Sequence, residues 1–114
     1  MSSKINYPSV SQALLAEVVN RIRATGDPLK VVLFGSQARG DTHPESDLDL
    51  LVVEESDLPR YKRSPRYYKA LVGVFPAKDI TVWTPTEIQE WSAVPNAFIT
   101  MVLREGKVLY EKPA

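Results

Sequence analysis

Val10, Leu14, Val18 and Ile22, reinforced by Leu15 and Val19, recur at the helical period, while Gln12, Glu17, Asn20 and Arg21 take the other side. This stripe predicts an amphipathic helix, opened by a capping box at Ser9 and Gln12 and stopped by Gly26-Asp27-Pro28. Lys30-Val31-Val32-Leu33-Phe34 then reads as a buried strand, which Gly35 and Ser36 break into a short helix closed at Gly40. Ser46 to Val53 reads as a second strand, and the polar stretch from Glu54 to Arg63 as a loop. Ser64-Pro65 marks the start of a helix carrying Tyr68, Ala70, Leu71 and Val72 and ending at Gly73. A third strand runs from Asp79 to Trp83. Thr84-Pro85-Thr86-Glu87 combines a Thr cap, a first-position proline and an acidic N3 residue, and opens a short helix to Trp91. A last apolar helix around Ala97 to Glu105 stops at Gly106, and Lys107 to Tyr110 closes as a final strand. Strands alternating with helices predict an α/β fold around one sheet, built as a single domain over residues 1–114.

Composition narrows the chemistry. There are no cysteines, so disulfides, zinc ribbons and thiol catalysis are excluded, and the one histidine, His43, cannot form a two-histidine metal site. Lys and Arg number 14, as do Asp and Glu, so the basic excess usual for tracking a nucleic-acid backbone is missing and no stable nucleic-acid binding is expected. No apolar run approaches the roughly 20 residues of a membrane span. Met1-Ser2-Ser3-Lys4 lacks the apolar core of a signal peptide, and the expected location is cytoplasmic.

The candidate chemistry is concentrated in GSQARGDTHPESDLDL, where ten residues separate Gly35-Ser36 from Asp47-x-Asp49. A strand that turns at Gly-Ser into a helix N-terminus presents unpaired backbone N–H groups, which suit phosphate. The turn is neither a Walker A loop nor a dinucleotide fingerprint, and Gly35 also has a plain reading as a residue that permits a tight turn. Ser36 offers a hydroxyl, and Arg39, one turn on, a charge-assisted contact or a merely exposed guanidinium. Asp47 and Asp49, two apart on a strand, share a face. Asp79 opens the third strand. If that strand lies beside the second, three carboxylates converge, and an oxygen-rich site of this type selects Mg²⁺ or Mn²⁺. Two such ions about 3.5–4 Å apart can stabilise both oxygens of an in-line phosphoryl displacement. Solvated strand ends and N-caps remain the alternative explanation for these aspartates.

These residues resemble the DNA polymerase β-type nucleotidyltransferase superfamily. The run GSQARGDTHPESDLDLLVV is similar to its minimal nucleotidyltransferase branch, as are the later TPTEIQEW and REGKVLYE segments. The resemblance implies a polymerase-β-like fold, with a small mixed sheet flanked by helices. It implies that Gly35 and Ser36 hold the triphosphate of ATP, with Arg39 beside them, and that Asp47 and Asp49 coordinate a catalytic Mg²⁺ pair. Asp79 takes the third-carboxylate role, ligating one metal and orienting the acceptor hydroxyl. In that branch the protein is the antitoxin of a pair whose toxin is a helical HEPN-domain ribonuclease, and AMP passes from ATP to a toxin tyrosine.

Other segments are more open. Arg60, Lys62, Arg63, Arg66 and Lys69, interleaved with Tyr61, Tyr67 and Tyr68, read as a solvated basic face or as a contact for a phosphorylated acceptor. His43, Asp41 and Glu45 lie in the variable stretch before the carboxylates. Trp83 reads as core or interface. The final helix, with Phe98, Ile99, Met101, Val102 and Leu103, exceeds one amphipathic stripe and is either well buried or part of an interface. So short a chain barely completes a catalytic module, which points to an acceptor on another molecule and a hetero-oligomer. Three functions follow: an adenylyltransferase antitoxin, a binding module that occludes its partner, or a small-molecule nucleotidyltransferase completed by a helical subunit.

Overall fold

A computed structural model describes residues 12–35, 38, 48–74 and 78–113 of the chain. Among these, α1 spans Gln12–Thr25, β1 Lys30–Phe34, β2 Leu48–Val53, α2 Pro65–Ala70, β3 Lys78–Trp83, α3 Pro85–Trp91, α4 Phe98–Glu105 and β4 Lys107–Glu111. The strands form one four-stranded sheet in the order β3-β2-β1-β4. β1 is antiparallel to both β2 and β4, whereas β2 and β3 run parallel. The sheet is therefore mixed, as expected.

Strand alternation gives the sheet two buried faces. Val31 and Leu33 of β1, Leu48, Leu50 and Val52 of β2, and Ile80 and Val82 of β3 meet Leu15, Val18 and Ile22 of α1 and Tyr67 of α2. The intervening residues Val32, Leu51, Val53 and Trp83 pack beneath Ile99 and Val102 of α4. A strand buried on both sides reads as an unbroken apolar run, which is why β1 and β2 lack polar alternation. The expected Ser9 cap lies outside the described residues.

Three local features differ from expectation. The loop after β2 contains a 3₁₀ turn over Arg60–Lys62. Helix α2 stops at Ala70 rather than running to Gly73, and Ser64 makes no side-chain cap. By contrast, Thr84 and Glu87 close a complete capping box at α3: Glu87 N–H donates to Thr84 Oγ1 and Thr84 N–H donates to Glu87.

The basic segment is a solvated face at Arg60, Lys62, Arg66 and Lys69 but not at Arg63. Arg63 is buried; its Nη1 and Nη2 donate to the two carboxylate oxygens of Glu87 at 2.7 and 3.1 Å, and further bonds reach the carbonyls of Val82 and Leu58 at 3.2 and 2.8 Å. Arg60 stacks over Trp83 with its guanidinium 4.1 Å from the ring centroid. Arg66 donates to buried Glu54 at 2.8 Å, and the Tyr67 hydroxyl donates to the same carboxylate. Burial and that bond together raise the Tyr67 hydroxyl well above its ordinary range.

The Arg63 hydrogen bonds, with help from the Thr84 N–H and Arg60, lower the Glu87 carboxyl from 4.5 to about 2. A depressed carboxyl contributes fully above its unfolded value and loses that contribution as pH falls through the folded one. Glu87→Gln should therefore cost about 1.5–3 kcal/mol in urea unfolding near neutral pH, with the gap to wild type closing between pH 4.5 and about 2. A gap unchanged down to about pH 3 would show that Glu87 does not act through its charge.

Candidate active site

Asp49 and Asp79 are Cα partners across the parallel β2–β3 pair. Opposite Asp49 on the other flank stands Phe34, the last residue of β1. Asp49 alternates with Leu51 and Val53, and Asp79 with Thr81 and Trp83, so both carboxylates belong to the face that α4 covers. Partners in adjacent strands sit roughly 5 Å apart, within reach of one shared cation. Asp79 is exposed and Asp49 half-buried, so the pair stands at the surface end of the sheet. On the free edge of β3, Ile80 N–H donates to the Tyr68 hydroxyl at 2.9 Å, so α2 ties down the strand one residue from Asp79.

Gly35 follows directly on β1 with φ +76, in the left-handed region where a Cβ is strained. A Cβ there would also run into Asp49 Oδ2. The glycine thus serves two ends: it turns the chain out of the sheet, and it lets the backbone press against the carboxylate. Both are what a phosphate cradle beside a metal ligand requires.

Ser36, Arg39 and Asp47, together with Asp41, His43 and Glu45, lie outside the described residues. Among the described residues no three acidic, histidine or cysteine side chains stand together as a metal cluster. The pair present has the right donors for Mg²⁺ or Mn²⁺, hard carboxylate oxygens at the surface end of the sheet.

Helix α4 contributes what the sequence left open. Ile99 and Val102 are buried, whereas Phe98, Met101 and Leu103 are exposed, as are Trp91 and Val94 just before them. The helix is thus half core and half unpaired apolar surface. Trp83 is core: it is buried and packs against Phe98 with ring centroids 6.3 Å apart.

Comparison with known proteins agrees with this geometry. The sequence pattern of the nucleotidyltransferase domain matches residues 15–104. A Methanocaldococcus jannaschii protein, provisionally named a protein adenylyltransferase, is 31% identical over 103 residues, covering 84% of this chain and 94% of its own. Among solved structures, a chain of a toxin–antitoxin crystallised with AMP-PNP superimposes with a TM-score of 0.63 at 20% identity, covering 86% of this chain and 73% of that one. A chain of the Shewanella oneidensis complex between a tri-AMPylated HEPN toxin and an MNT antitoxin gives 0.57 at 17% identity, over 89% and 72%. The chain belongs to the nucleotidyltransferase domain family and is an enzyme of nucleotidyl transfer.

The two left-handed glycines separate backbone strain from contact. Gly73, at φ +84, has nothing within 4 Å of an added Cβ. Gly73→Ala should cost about 1 kcal/mol, the left-handed penalty alone. Gly35→Ala adds displacement of Asp49 and should cost at least about 2 kcal/mol in thermal or urea unfolding. Equal losses in the two variants would show that Gly35 and Asp49 are not in contact.

Proposed function

We propose that this chain transfers AMP from ATP, with Mg²⁺ bound, to a tyrosine hydroxyl of a partner HEPN-type toxin, and acts as its antitoxin. The observation that carries this reading is the register of Asp49 with Asp79 beside the left-handed Gly35. The similarity to a protein adenylyltransferase, and to a complex that contains an AMPylated HEPN toxin, supports the choice of nucleotide and acceptor.

In this reading Gly35 and Ser36 hold the triphosphate through backbone N–H groups, with Arg39 adding charge. Asp47, Asp49 and Asp79 hold the divalent ions, which would neutralise the α-phosphate and the leaving pyrophosphate. Asp79, the exposed carboxylate on the edge strand, meets the acceptor first. It orients the hydroxyl and takes its proton as the oxygen bonds to the α-phosphorus, while the bond from phosphorus to pyrophosphate breaks. Edge placement matters, because the acceptor arrives on another molecule.

Simple occlusion is the second reading. It is favoured by the exposed apolar side chains of Trp91, Val94, Phe98, Met101 and Leu103 on α3, α4 and the turn between them, which suit a protein partner with or without chemistry.

The two separate with ATP labelled at the α-phosphate, Mg²⁺ and the co-purified partner. Label should move to the partner, and Asp49→Asn and Asp79→Asn should each lower that rate at least about a hundredfold while the complex still forms. Neutralisation of the partner without labelling, unaffected by Asp49→Asn, would replace transfer by occlusion.

A further inference from the structure

Beside the carboxylate pair, a recess of about 100 Å³ opens between the end of β1 and α4, lined by Phe34, Gly35, Phe98, Met101, Val102 and Glu105. The four α4 residues follow the i, i+3, i+4, i+7 spacing, so one stripe of the helix faces the glycine turn. We propose that this recess is the nucleobase subsite of the enzyme, with Phe98 and Met101 as the side chains that hold the base. The proposal rests on the reading of Gly35 as part of the triphosphate cradle, and deepens it.

Position argues first. Gly35 both presses on Asp49 and lines the recess, so a ligand with its phosphates at the turn has its other end within one nucleotide's reach. Chemistry argues next. Among the described residues the lining has no lysine or arginine and has three large apolar side chains, which suits a flat ring and not a phosphate. A recess of about 100 Å³ is too small for a whole nucleotide and takes at most one ring system.

Direction excludes the acceptor. Along the sheet, Asp79 stands on the edge strand β3, Asp49 on β2 and Gly35 at the end of β1. An in-line displacement needs acceptor and pyrophosphate on opposite sides of the α-phosphate. With the acceptor entering over Asp79, the β1 side of the site is left to the nucleotide, and its apolar part to the base.

The walls are built for stacking. Phe98 is 49% exposed, yet its ring is fixed edge-on to Phe34 at 5.5 Å and tilted against Trp83 at 6.3 Å. A rigid, half-open aromatic ring is the usual platform for a base. Met101, one helical turn along the same stripe, supplies an adaptable thioether beside it. Glu105 is the one charged residue among the described residues of the lining; its carboxylate, which accepts from Arg104 at 3.2 Å, can also accept from a base edge that carries an amino group.

Equilibrium binding with Mg²⁺ tests this with two probes, ATP and inorganic tripolyphosphate, the second lacking a base. Phe98→Ala should weaken ATP by roughly tenfold and leave tripolyphosphate unchanged. Since Phe98 also packs on Phe34 and Trp83, Met101→Trp provides a second variant, which fills the recess from an exposed position and should give the same split. Loss of ATP and tripolyphosphate in parallel, or of neither, in Met101→Trp overturns the subsite. Wild-type protein that binds both probes equally also overturns it, with the cradle left standing. Wild-type protein that binds neither removes the cradle and the subsite together.

Discussion

The parallel pairing of β2 with β3, Asp49 against Asp79, is the constraint on which the rest of the structure depends. A parallel pair has no hairpin to set its register and relies on the crossover between its strands. A slip of one residue would carry Asp79 to the α1 face and bury it among leucines. The crossover is held at both ends. Arg63 binds the Leu58 carbonyl within it, the Val82 carbonyl on β3 and the Glu87 carboxylate on α3. Arg66 and Tyr67 of α2 bind Glu54, the residue that leaves β2. Tyr68 takes the edge N–H of Ile80. A segment rich in arginine and tyrosine thus spends its charges on the register of two strands.

With the register fixed, the site is a consequence of where the strands end. β1 stops at Phe34, opposite Asp49, and the chain leaves the sheet through a glycine that presses on the same carboxylate. Asp49 lies between a backbone turn suited to phosphate and a carboxylate suited to a shared cation. Helix α4 roofs this row on one side only. The result is three unlike approaches to one point: a backbone turn, an open acidic edge and an apolar recess. Transfer between two molecules needs that asymmetry.

Much of this could be read from the residues. The apolar runs of β1 and β2, the capping box at Thr84 and the stop at Gly106 each express a local rule, and each element formed where its signal stood. The Gly35 to Asp49 spacing suggested a site for a metal-bound nucleotide, and its resemblance to nucleotidyltransferases anticipated the family the chain belongs to. The adjacency of Asp79 could only be stated as a condition, because strand order is not local. Arg63 could not be distinguished from its basic neighbours, since its burial depends on Glu87, 24 residues on. The recess was invisible for a similar reason: Phe34 and Phe98 come from segments whose meeting no periodicity announces. The roles of Ser36, Arg39 and Asp47 remain an expectation from the sequence.

The proposed transfer requires a divalent ion held between β2 and β3 next to the Gly35 turn. Paramagnetic broadening of backbone amide resonances by Mn²⁺ with a non-hydrolysable ATP analogue locates that ion directly. Broadening centred on Asp49 and Asp79, extending to Gly35 and fading along β4 and α1, is the predicted result. Broadening centred elsewhere, or its persistence around Asp49 and Asp79 in the Asp49→Asn/Asp79→Asn double variant, would contradict it.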